Sequence, residues 1–264
     1  MQIFDAHVHI YPDKIAEKAA ANVGKFYEIP MKFNGMISTL LDNCKKAGVD
    51  RCLVHSVATT HDQVCKINDF IHASVEASNG MFVGFCTRPP SMTADEIDAE
   101  VKRVISLGLH GIKLHPDCQK FAIDDKHAME MYEIIDGRLP ILFHTGDKRY
   151  NFSHPSQLKT AADRFPKQKM IAAHLGGYSE WENAVKVLPG TENVWYDESS
   201  SLNYLTPEKA KEYILTYGAE RIFWGTDYPM WSASEEIERF NRIDLDETQR
   251  RKIMWDNITG FLNL

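Results

Sequence analysis

Short runs of apolar residues recur along the chain, and each is followed by a stretch with apolar positions at helical spacing. The runs are Gln2–Val8, Arg51–Val57, Met81–Cys86, His110–Leu114, Pro140–Phe143, Lys169–Ala173, Asn193–Tyr196 and Arg221–Trp224. They continue without polar alternation, the pattern of strands buried on both faces in a parallel sheet. Helix signals lie between them. Thr93-Ala-Asp-Glu96 reads as a capping box ahead of Ile97, Val101, Val104 and Ile105, closed by Gly108. Pro207 stands at a first helical position after Thr206, with Gly218 just past the end, and Met36 to Ala47 stops similarly at Gly48. Eight strands interleaved with helices, strand first, predict an α/β chain folded as one (β/α)8 TIM barrel over residues 1–264. An open doubly wound sheet would want a glycine-rich fingerprint after its first strand, where this chain has His7-Val-His9.

No internal repeat or low-complexity segment interrupts the pattern. Two stretches read as irregular, Tyr11 to Pro30 and Asp147 to Pro155. Both follow strands, so a barrel places them at its carboxyl face, where sites are built.

Composition narrows the function classes. The 264 residues are 44% hydrophobic and 25% charged, values of an ordinary globular protein. A net charge of −7 speaks against a protein built to grip a phosphate backbone, and no basic patch with interleaved aromatics is present. The expected partner is a small molecule, with no nucleic acid or membrane, and with a homo-oligomer left open. Five cysteines without a CxxC pattern give neither a zinc ribbon nor a thioredoxin-like motif. An acidic residue and a histidine arrive too early for a secretory signal, and no apolar run approaches the roughly 18 residues of a membrane span. Reduced thiols in a cytoplasm are the expectation.

The histidines carry the chemistry. His7 and His9 lie two apart at the end of the first strand and share a side of it. His144 closes the fifth strand, His174 the sixth, and Asp227 follows the eighth. In a parallel barrel all these ends open on one rim. Three or four imidazoles with a carboxylate there suit a divalent ion of the zinc or manganese kind. One histidine at a strand end is ordinary packing, and a lone His-x-His arises by chance. The weight rests on the combination.

Together these motifs resemble the amidohydrolase superfamily, in its amidohydrolase-2 branch of compact barrel hydrolases and related decarboxylases. The likeness rests on Asp5-Ala-His7-Val-His9, Gly111-Ile-Lys113-Leu-His115-Pro116, Phe143-His144-Thr145-Gly146, Ala173-His174-Leu-Gly-Gly177 and Trp224-Gly-Thr-Asp227-Tyr-Pro229. It implies that His7, His9, His144 and Asp227 hold one divalent metal, zinc before manganese. His174 would be catalytic beside it, or a ligand where a second metal is present. TatD-like nuclease relatives carry a glutamate on the fourth strand, where this chain has Lys113.

A metal lowers the pKa of its bound water toward about 7. Asp227 would take a proton and deliver it to the leaving group, while His174 polarises a carbonyl. The expected activity is a metal-dependent hydrolase of a small-molecule amide, ester or lactone, with a nonoxidative metal-dependent decarboxylase as the alternative. The ligand set does not separate the two.

Other residues keep two readings. Lys113 anchors a substrate carboxylate, packs at the strand end, or, as binuclear relatives imply, is carbamylated between two metals. His115 and Arg88 are substrate contacts or loop residues. Asp5 orients a ligand or sits in the barrel floor. His55 and Ser56 pack or line the mouth, and Tyr178, Tyr228 and Trp231 wall the pocket or pack. Asp147-Lys148-Arg149 reads as a solvated loop, and Cys118 as inert.

Overall fold

The computed structural model describes residues 1–89 and 91–264. Each of the eight apolar runs overlaps a strand, three of which end one residue later: β1 Phe4–His9, β2 Arg51–His55, β3 Phe82–Thr87, β4 Gly111–Leu114, β5 Ile141–Phe143, β6 Met170–Ala172, β7 Val194–Asp197 and β8 Ile222–Phe223. All pair parallel with their sequence neighbours, in the order β1 to β8. Backbone bonds from Ala6 N to Trp224 O (2.9 Å), Asp227 N to His7 O (2.9 Å) and His9 N to Tyr228 O (2.8 Å) join the last strand's end to the first. The sheet is thereby a TIM barrel.

Alternate strand residues belong to different cores. Leu53, Val83, Phe85, Leu142 and Ile171 fall in a smaller cluster with Ile258, Phe261 and Leu262, which plug the end where the strands begin. Their neighbours Cys52, Val54, Phe82, Cys86, Ile141 and Met170 join the larger cluster under the helices. This is the period-two consequence of a sheet closed on itself. The apolar plug leaves only the opposite end of the barrel for polar side chains.

The cap signals hold. Thr93 Oγ1 accepts from Glu96 N while the Glu96 carboxylate takes the Thr93 amide, opening the helix Ala94–Ser106. Thr206 caps Pro207–Tyr217. The stretch Tyr11 to Pro30 departs from expectation, because Asp13–Tyr27 within it is a helix, α1, lying over the mouth. Its buried face is made of Ala16, Ala20 and Gly24. Such small residues at helical spacing carry almost no hydrophobic signal.

Candidate metal and substrate site

The carboxyl ends of the strands gather His7, His9, Lys113, His115, His144, His174 and Asp227 around one cavity of about 640 Å³. Several of these positions are held by specific bonds. Asp5 accepts from Thr226 N (2.9 Å), Thr226 Oγ1 (2.6 Å) and His7 N (3.2 Å), so it ties β1 to the turn carrying Asp227. Both readings of Asp5 left its partners open; it acts as a clamp between two site-bearing segments. Its fully buried carboxyl is pushed up to about 7 by desolvation. Asp227 and His174 lie in the left-handed region at φ 59° and 60°, a strained conformation for such residues.

His7 Nδ1 donates to Asp197 Oδ2 at 2.9 Å. That bond fixes the tautomer and leaves the Nε2 lone pair facing inward, 3.1 Å from Lys113 Nζ and 3.6 Å from Asp227 Oδ1. His9 Nε2 is 3.7 Å from the same Asp227 oxygen. Ser200 Oγ donates to the other oxygen at 2.6 Å. His7, His9 and Asp227 therefore converge as expected.

His144 lies beside them with its Nδ1 turned to His174 Nε2 at 3.0 Å. His174 Nδ1 donates to Ser199 O at 2.9 Å, so His174 Nε2 accepts from His144. The free lone pair of His144 Nε2 then stands 3.6 Å from Asp117 Oδ2. His115 stacks on His144 with centroids 4.1 Å apart, and its Nδ1 accepts from Cys118 N at 3.3 Å. Its Nε2 is thus left to donate to the Tyr27 hydroxyl at 2.6 Å.

Burial holds His7, His9, His55, His115 and His144 well below the ordinary imidazole range, and the nearby Lys113 charge adds to it. Neutral imidazole is the form that ligates a cation. Lys113, wholly buried, is pushed down to about 8 by desolvation, opposed by Asp197 and Asp227. Nitrogen and carboxylate donors with a fixed tautomer fit a divalent ion. Three trios bring one donor atom each within 4.8 Å of one another among the described residues: His7, His9 and His55; His7, His174 and Asp197; His115, Asp117 and His144.

Arg88 is not brought to the site. Alternation along β3 puts it on the side of Cys86, facing the helices, and it is absent from the cavity lining. It is fully buried, and burial lowers it to about 10. The loop after β5 also differs from expectation. Asp147 is buried, and Arg149 pairs with it (2.7 Å) while donating to Phe26 O (2.7 Å) and lying over the Phe26 and Tyr27 rings. Asp147 and Arg149 therefore fasten α1 across the mouth, while Lys148 and Arg149 remain exposed to solvent as expected. Tyr178 packs edge-on to the His174 and Tyr27 rings, and Trp231 donates to Ser200 Oγ. Asp197, Asp117, Ser199 and Tyr27 escaped the sequence reading.

Comparison with known proteins decides the family. The amidohydrolase family model matches residues 4–264. The chain belongs to that family. A γ-resorcylate decarboxylase of Polaromonas sp. is 25% identical over 258 residues, covering 75% of this chain and 76% of its own. An uncharacterized TIM-barrel protein of Bordetella bronchiseptica superposes with a TM-score of 0.83 at 16% identity, covering 100% and 99% of the two chains. A dihydroxybenzoic acid decarboxylase of Polaromonas sp. with bound manganese and an inhibitor gives 0.73 at 17% identity, covering 100% and 97%. A probable 2-pyrone-4,6-dicarboxylic acid hydrolase of Acinetobacter baumannii gives 0.71 at 12%, covering 100% of both. The amidohydrolase barrel thus hosts both chemistries, and the fold alone does not choose between them.

Proposed function

We propose that this amidohydrolase is a metal-dependent nonoxidative decarboxylase of an organic acid. The observation that carries the reading is the buried Lys113 ammonium, 3.1 Å from His7 Nε2 and within the field of Asp227, at the polar end of a cavity whose remaining walls are largely apolar. The decarboxylase relative supports the same choice over hydrolysis.

His7, His9, His144 and Asp227 are the proposed holders of one divalent ion of the zinc or manganese kind, His144 by turning a nitrogen from its present partners. Bound there, the ion would supply a Lewis acid for a substrate oxygen. Lys113 then pairs with the carboxylate and orients it. Apolar walls strip water from that anion, which favours its departure as neutral carbon dioxide. As the carbon–carbon bond breaks, its electron pair stays on the substrate carbon, and that carbon takes up a proton that Asp227 relays from solvent. His174, fixed by Ser199 O, faces the same space and positions the substrate through its ring.

The test is product analysis in isotopic water. Decarboxylation releases carbon dioxide and places one solvent deuteron on the product carbon, with no solvent oxygen gained. Solvent ¹⁸O in the product, without carbon dioxide, would establish hydrolysis instead.

A further inference from the structure

The cavity is much larger than its polar end requires. About 150 Å³ is enough to hold benzene. At about 640 Å³ this cavity is roughly four times that size, in the range that encloses drug-sized ligands. Several ordered waters, at about 30 Å³ each, would not fill the difference. Nor is the excess polar. Ile15, Ala19, Val23 and Phe26 of α1 line it from one element, and Ile67 and Phe70 from the helix Val64–Ala77. Ile15 is 52% exposed, a large apolar side chain that the described residues cover only in part. Asn22, Gln63 and Lys66 interrupt this wall, but beside the apolar side chains water gains few of the two to four polar partners it needs.

We infer that the substrate is an acid with an extended apolar body, of bicyclic, biaryl or arylalkyl size, whose carboxylate meets Lys113 while the body lies against α1 and the helix Val64–Ala77. This rests on the decarboxylase reading and specifies its substrate class. A single-ring acid would leave much of the cavity unfilled. Lys66 and Lys120 also line the cavity, and they add positive charge along the path of an anion. The Arg149 bonds that fasten α1 make its wall a fixed surface that selects by length.

Binding tests the inference without turnover. Benzoate, 2-naphthoate and biphenyl-4-carboxylate are titrated calorimetrically into the manganese-loaded protein. The expected result is affinity rising at least 30-fold from benzoate to biphenyl-4-carboxylate, with a more negative heat-capacity change for the longer acid. Ala19→Trp, which fills the space beside α1, is expected to cut that ratio below threefold. A ratio within threefold in the unaltered protein, equal heat-capacity changes for all three acids, or no binding by any of them overturns the inference. The heat-capacity comparison needs no variant, so it decides the matter even where Ala19→Trp does not fold. Length-graded binding without carbon dioxide release from any extended acid would overturn only the decarboxylase reading.

Discussion

The Asp197 carboxylate accepts the His7 Nδ1 proton at 2.9 Å, with both groups wholly buried. A carboxylate behind a ligand histidine fixes its tautomer and raises its basicity, and loss of such a partner costs about 10–100-fold in metal affinity. Asp197→Asn is therefore expected to weaken manganese or zinc binding by about that factor, as read by competition with a chromophoric chelator. Unchanged affinity would mean that Asp197 serves packing alone.

Lys113 lies 3.1 Å from His7 Nε2 and has no exposed surface. Lys113→Met keeps the length of the side chain and removes the ammonium. A hydrogen bond to a charged group contributes about 1.5–3 kcal/mol, or roughly 10–100-fold. Carboxylate ligands should bind weaker by that factor, while an uncharged amide of the same acid should bind nearly as before. Equal losses for acid and amide would show that Lys113 shapes the site without recognising charge.

His55 offers a test on stability. It is fully buried, its ring centroid lies 4.4 Å from that of His9, and neither of its nitrogens has a hydrogen-bond partner among the described residues. Burying such a group unpaired costs about 1–3 kcal/mol. His55→Leu should raise the Tm of the metal-free protein by about 2–6 °C, the shift that ~1–2 kcal/mol gives in a domain of this size. A lower Tm would mean that its imidazole makes a bond essential to the fold.

Much of this was legible in the sequence because strands buried on both faces announce themselves as short apolar runs, and because strand ends in a parallel barrel share one rim. That is why His7, His9 and Asp227 could be assigned to one place from three distant motifs. The failures have physical causes too. The helix α1 hides because Ala16, Ala20 and Gly24 form its buried face. Arg88, read as a substrate contact or a loop residue, faces the helix layer, because a one-residue step along the chain at the end of β3 exchanges the barrel interior for that layer. Asp197 shows no local signal, since a carboxylate ending a strand gains meaning only from the imidazole opposite it, 190 positions away. The reaction type stayed open because both chemistries keep the same ligand positions.

Glu236 links this fold to pH. Its carboxyl is buried and pushed up to about 7 by desolvation, although Asn203 Nδ2 (2.9 Å) and Arg239 Nη1 (2.9 Å) bond to Oε1. Glu235 beside it opposes its ionisation, and Glu198, itself buried and raised, feels the charge of Glu236. With an ordinary carboxyl value of 4.5 in the unfolded chain, the folded protein binds more protons between about 4.5 and 7. Its contribution to stability is fully present below that window and is lost as pH rises through it, by about 1.4 kcal/mol per pH unit for one proton. Glu236→Gln stays neutral throughout. The stability of Glu236→Gln relative to the unaltered protein should therefore climb between pH 4.5 and 7 and level off above, in urea unfolding at a series of pH values. Parallel curves across that range would place the Glu236 carboxyl at an ordinary acidity and remove it from the pH response.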